Sequence, residues 1–113
     1  MHWIERKLRD ILRNQMASNP KMDEVAKAMG MSGRTLRRRL TSIGTSYQSE
    51  LDRVRQELAL SAMEEAKSLA SIAEGLGFND SSAFYKAFRR WTGMTPSEYM
   101  RWRSVGNGFS FSA

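Results

Sequence analysis

The chain has 113 residues, room for one domain or two small sub-domains, and its 41% hydrophobic and 27% charged residues match an ordinary soluble globular protein, which argues against disorder and against a membrane protein. Its 18 Lys+Arg against 12 Asp+Glu give a net charge of +6 and a pI near 10.2, a balance that favours a polyanionic partner, nucleic acid ahead of an anionic membrane surface. With no cysteine, with His2 as the only histidine and with no apolar run near the ~20 residues of a bilayer span, the sequence points away from disulfides, metal sites, cofactors, histidine-based catalysis and membranes, and towards the cytoplasm.

Residues 3–16 place Trp3, Ile4, Leu8, Ile11 and Leu12 at helical spacing, with Glu5, Arg6, Arg9, Asp10 and Arg13 on other faces, and Ser18-Asn19-Pro20 breaks the pattern. A short helix follows over 21–29, apolar along Met22, Val25, Ala26 and Met29, and Gly30 stands where a helix end wants a left-handed residue. Ser32 can cap the next helix, 33–43, whose inner side is Leu36, Leu40 and Ile43. A small residue, a glycine and then an anchor is the spacing of two helices crossing through a tight turn.

Gly44 closes that unit, and Thr45 or Ser46 can cap a long helix to about residue 65, buried along Leu51, Val54, Leu58 and Met63. Some twenty residues make it roughly 30 Å long, close to the ~34 Å between successive major grooves on one face of a duplex. The earlier pattern then returns: Ile72-Ala73, Gly77, a helix over 81–91 capped by Asn79 or Asp80 and anchored by Phe84 and Phe88, and Gly93 to end it. Thr95-Pro96 opens a last short helix to about residue 103. Aligning Ala26 with Ala73 aligns Gly30 with Gly77, whereas the anchors fall one residue later, an internal repeat of about 47 residues with an insertion in its second turn.

Nothing alternates with a period of two, so the fold expected is all-α: two helix-turn-helix sub-domains, 1–44 and 67–104, joined by a connecting helix within 45–66 and trailed by a flexible tail at 105–113. In the first unit Arg34, Arg37 and Arg38 lie opposite the anchors and are candidate base readers, since arginine's planar fork takes guanine O6 and N7 or phosphate equally well. Arg39 sits toward an edge, as a phosphate contact. In the second unit Ser81, Ser82, Tyr85 and Lys86 face outward as softer base readers, with Arg89 and Arg90 following as phosphate contacts. Helix N-termini at Ser46 and Ser97 are further candidate phosphate sites. Trp91 and Tyr99, at helix ends, read as packing residues. The carboxylates Glu50, Asp52 and Glu74 pair with no nucleophile or metal set, so no enzyme is indicated; the alternative function is a helical protein-interaction module with basic faces.

The stretch Ile72-Ala73, Leu76-Gly77-Phe78, Ser82, Phe84, Phe88-Arg89-Arg90, Gly93 and Thr95-Pro96 through Tyr99 resembles the C-terminal signature of the AraC/XylS family of bacterial transcription regulators. Met31-Ser32, Arg34-Thr35-Leu36 and Arg38-Arg39-Leu40 are similar to that family's first unit, and residues 51–60, with Arg55 and Ala59, to its connecting helix. The resemblance implies about seven helices and two recognition helices inserted into adjacent major grooves of double-stranded DNA, usually to activate transcription, often by touching RNA polymerase. Lys86 stands where arginine is usual, Met100 separates Tyr99 from Arg101, and Gly33 stands where proline or a larger residue is common. Most members add an N-terminal ligand-sensing or dimerising domain, so this chain is expected to be either an excised, monomeric DNA-binding domain, the favoured reading, with any dimerisation left to that further domain, or one of the minority that act as stand-alone monomers.

Overall fold

The computed structural model describes residues 2–104, and those residues run α1 (Trp3–Gln15), a 3-10 turn (Met16–Ser18), α2 (Met22–Ala28), α3 (Gly33–Ser42), α4 (Tyr47–Glu64), α5 (Leu69–Gly75), α6 (Ser81–Thr92) and α7 (Pro96–Trp102). No strand occurs among them. The expected tail lies outside the described residues.

Local chemistry sets most of these boundaries. Ser32, Ser46, Ser68, Asp80 and Thr95 each stand just before a helix and accept a hydrogen bond from a backbone N–H of its first turn, a contribution of about 1 kcal/mol per cap. Of the alternatives open in the sequence, Ser46 caps α4 rather than Thr45, and Asp80 caps α6 rather than Asn79. Asn19, in the left-handed region at φ 53°, turns the chain out of the 3-10 turn, and Pro20 follows where α1 could not continue.

The two helix-turn-helix units repeat in their hydrogen bonds as well as their sequence. Met31 N–H donates to the Ala26 carbonyl and Phe78 N–H to the Ala73 carbonyl, each at 3.0 Å. Ala26 and Ala73 are buried where the helices cross, and Gly30 and Gly77 take the left-handed turn after each first helix. Between Ala28 and Gly33 the turn has one residue fewer than between Gly75 and Ser81, which is the insertion the repeat implies.

Buried side chains from both units join in one continuous cluster along α4: Leu8 and Leu12 from α1, Leu36 and Leu40 from α3, Leu51, Val54, Ala59 and Met63 from α4, Ile72 from α5 and Phe84 and Phe88 from α6. The second unit adds an aromatic packing set, with Phe88 at 5.8 Å from Phe84, 6.4 Å from Trp91 and 5.7 Å from Tyr99 between ring centroids. Helix α4 has 18 residues and so is about 27 Å long, shorter than the sequence suggested.

Three expectations change. Leu58 and Ile43 are only half-buried, and Arg9, read as a surface residue, is 7% exposed. For Leu58 and Arg9 the reason is shared: the inner face of α4 carries charges. Glu50, 1% exposed, accepts from Arg9 Nε at 2.5 Å and from the Thr45 hydroxyl at 2.7 Å, tying α1 to the start of α4. Arg55, 8% exposed, takes the inward place one turn further along, so the buried stripe runs through Arg55 and Ala59 and leaves Leu58 at its edge.

Arg55 marks the seam between the units. Its Nε donates to the Leu76 carbonyl and its NH2 group to Asn19 Oδ1, both at 3.1 Å, and its guanidinium lies 4.5 Å over the Phe78 ring. Beside it the Tyr47 hydroxyl donates to the Pro20 carbonyl at 2.8 Å; burial pushes that phenol up to about 12, so it stays a donor. Gly77 completes the seam, because a Cβ there would stand 2.6 Å from the Met16 carbonyl oxygen and 3.2 Å from Asn19 Cα.

Gly77→Ala is therefore expected to cost about 2–5 kcal/mol in urea unfolding, from left-handed strain plus a backbone clash, whereas Gly30→Ala, at a similar φ with nothing within 4 Å, carries the strain alone. Glu50 yields a pH prediction. Burial opposes its charge, but the hydrogen bonds from Arg9 and Thr45 and the Arg9 charge prevail and hold its carboxyl below the usual 4.5. A lowered folded-state value means that this stabilisation is complete above about pH 4.5 and is lost as the pH falls through the folded value. The gap between wild type and Glu50→Gln should be about 1–3 kcal/mol near neutrality and should narrow in thermal melts taken on acidification.

Candidate nucleic-acid interface

Leu36 and Leu40, fully buried, fix how α3 is turned on the scaffold. With those positions inward and Ser32 holding the N-terminus, Arg34, Arg37 and Arg38 project outward, and all three are exposed. They line an open cleft of about 820 Å³ with Met22 and Asp23 of α2 and Thr41 and Ser42 of α3. None of them forms an ion pair among the described residues, whereas Arg9, Arg13 and Arg103 are each bound to a glutamate. A helix face of unneutralised guanidinium groups attracts polyanions and keeps its donors available to them.

Asp23 is the residue that sequence reasoning missed here. The stretch around the arginines holds no acid, but α2 brings this carboxylate in from the side, into the space that Gly33 leaves open: a Cβ at position 33 would meet Asp23 Oδ1. Gly33, a departure in the sequence, thus makes room for an acceptor within the arginine cleft. Only the crossing of α2 over α3 reveals it.

Ser46, exposed at the N-terminus of α4, lines a neighbouring recess of about 460 Å³ together with Arg37 and Gln48, so a helix N-terminus and a guanidinium face the same space. Arg39 is exposed but turns to the other flank, where it borders a recess with His2, Trp3 and Ile43. It is thereby separated from the other arginines.

In the second unit Phe84, Ala87 and Phe88 are buried, and their positions leave Ser82, Tyr85 and Lys86 outward; Tyr85 is 37% exposed. The insertion makes the correspondence between units 48 residues at this point, as Leu36 to Phe84 and Leu40 to Phe88 require. On that register Ser82, Tyr85 and Lys86 occupy the scaffold positions of Arg34, Arg37 and Arg38. Ser81 is half-buried beside Asn79 and Asp80 at the start of the helix. Arg89 and Arg90 are exposed at its end, and Arg90 NH2 lies 4.0 Å from Asp52 of α4. Ser97 is exposed in the first turn of α7, where the Glu98 carboxylate already accepts from the Thr95 N–H at 2.9 Å. Trp91 and Tyr99 are packed in the aromatic set, not presented as stacking platforms.

Comparison with known proteins bears on this arrangement. A helix-turn-helix domain family model matches residues 25–101. The chain is 46% identical over 94 residues to the ornithine utilization regulator of Pseudomonas aeruginosa, an alignment covering 82% of this chain and 28% of that protein. It superposes on a DNA-binding transcriptional dual regulator from Escherichia coli K-12 with a TM-score of 0.83 at 28% identity, covering 90% of this chain and 92% of the other. With the transcriptional regulator CdpR from Pseudomonas aeruginosa the TM-score is 0.79 at 35% identity, over 87% of this chain and 31% of that one. The chain spans about a quarter to a third of the length of the curated relatives it matches.

The separation of outward cations from inward anchors predicts that Arg34→Ala, Arg37→Ala and Arg38→Ala each leave unfolding stability within about 0.5 kcal/mol. Phe88→Ala, in the same denaturation series, should cost about 3–5 kcal/mol.

Proposed function

Since the chain belongs to the AraC/XylS family of helix-turn-helix transcription regulators, we propose that it binds double-stranded DNA at a specific sequence by laying α3 and α6 into adjacent major grooves. The observation that carries this reading is the matched pair of outward faces: Arg34, Arg37 and Arg38 on α3, exposed and without ion pairs among the described residues, and Ser82, Tyr85 and Lys86 at the same scaffold positions on α6. The arginines read guanine edges bidentately, while serine, tyrosine and lysine discriminate less per contact. Ser81 adds a contact at the start of α6. Arg39, Arg89, Arg90 and the helix starts at Ser46 and Ser97 hold the phosphates and the register.

Size supports two heads acting together. The molecule measures 46 × 32 × 20 Å, and its long axis exceeds the ~34 Å repeat of major grooves on one face. The α4 connector, about 27 Å long, falls short of that repeat, so bound DNA bends toward the protein or one unit grips less closely. We assign the regulator an activating role through contact with RNA polymerase, in the cytoplasm, with this part of it bound as a monomer.

Selection of duplexes from a random pool should recover one motif with two segments, one for each head; recovery without sequence preference would favour a helical protein-interaction module instead. On the recovered duplex, log Kobs should fall with log salt by about 0.9 for each phosphate neutralised. Arg38→Ala should cost about 1–3 kcal/mol of affinity and relax the preference at one position. A loss spread evenly over all sequences would reassign Arg38 to phosphate.

A further inference from the structure

Resting on the two-headed DNA reading, we propose that Arg55 is a positioning residue which fixes the phase between α3 and α6 and so sets the half-site spacing that the protein accepts. Arg55 touches no DNA in this scheme. It acts through three partners drawn from both sides of the molecule. Asn19 belongs to the exit from the first unit's α1, and its Oδ1 accepts from the Arg55 NH2 group at 3.1 Å. Leu76 ends α5, and its carbonyl, one of those a helix leaves without an internal partner, accepts from Arg55 Nε at 3.1 Å. Phe78 leads into α6, and its ring lies 4.5 Å from the guanidinium carbon.

These contacts bracket the place where the second unit's turn meets the end of the first unit's α1. Gly77 sits between Leu76 and Phe78, and its missing side chain lets the Met16 carbonyl and Asn19 approach the turn. Without Arg55 the second unit keeps its link between Glu64 and Leu69, where Ala66 takes a left-handed φ of 59°, and its apolar contact with α4, but that contact has no fixed direction and resists swivelling less than a hydrogen-bonded fork. A planar fork is what the site requires, because two donors must diverge to two oxygens while the plane faces a ring; an ammonium group cannot meet all three demands.

Duplex geometry turns this clamp into a specificity device. One base pair inserted between half-sites rotates the far one by about 34–36° and moves it by about 3.4 Å. Heads locked together must bear that error as strain or release one site. Heads free to swivel adjust to it.

The test uses the duplex that the wild-type chain selects, with versions in which one base pair is added or removed between the half-sites, each titrated by fluorescence anisotropy. Wild type should lose about tenfold or more in affinity on either change, the size of a mismatch penalty. Arg55→Lys, and separately Asn19→Gly, which keeps the left-handed turn but deletes the acceptor, should lose less than about threefold on the same change. A full penalty retained in a folded variant, or no penalty in wild type, overturns the proposal. A second measurement separates the clamp from the DNA reading. In this cysteine-free chain, spin labels at Lys7→Cys and Arg101→Cys report the distance between units without DNA. One narrow distribution that broadens in Arg55→Lys supports the clamp even where no duplex is selected; a distribution that Arg55→Lys leaves unchanged refutes it whatever the duplex results.

Discussion

The guanidinium of Arg55, buried where three segments meet, is the interaction on which the rest of this architecture depends. Burial lowers its pKa, while the charge of Asp52 acts to raise it and that of Arg90 to lower it further. Arginine's high intrinsic value nevertheless keeps it a cation. Its role as a hub follows from what answers that charge: two carbonyl-type oxygens and the face of a ring. One of those oxygens, the Leu76 carbonyl, would otherwise be an orphan at the end of α5. A single side chain thus offsets its own desolvation and the helix end's unmet acceptor together.

Glu50 does the complementary work one turn earlier. It joins α4 to α1 through Arg9 and to the Gly44 turn through Thr45, while Arg55 joins α4 to the second turn. Each unit is therefore bound to the connecting helix by a buried polar bond of defined direction, laid over a hydrophobic contact that has none. The units differ in what fills them. The first closes on Leu36 and Leu40 with α1 as its cover; the second closes on Phe84, Phe88, Trp91 and Tyr99, with α7 packed behind. Both present the outer face of their second helix, and the chemistry of those faces is independent of what fills the interior.

Most of this fold was legible in the sequence, for physical reasons that can be named. Serine, aspartate and threonine caps, left-handed glycines and apolar spacing act over a few residues, so helix order, turn positions and the anchors Leu36, Leu40, Phe84 and Phe88 could be read directly. What escaped was contact between distant residues. Arg9, Glu50 and Arg55 look like surface charges in any local window, and only the docking of α1, α4 and α5 makes them interior. Leu58 was misplaced for the same reason, since a stripe that includes charged residues does not announce itself by hydrophobicity. In the candidate interface, the outward positions on α3 and α6 followed from the anchors, whereas Asp23 in the arginine cleft and Arg90 beside Asp52 needed the crossing of helices.

The extra residue in the second turn has a consequence for anyone who would re-engineer the protein. Because the two turns share their hydrogen bonds up to Met31 and Phe78, it is tempting to transplant side chains between the heads at the spacing of the glycines. That spacing would carry the arginine of position 37 onto Phe84, into the centre of the aromatic interior. One residue further on, positions 34, 37 and 38 map onto 82, 85 and 86, all on the open face. A change of reading vocabulary in one head is therefore a problem of bookkeeping along the chain, and a miscount by one converts a swap of words into a broken core.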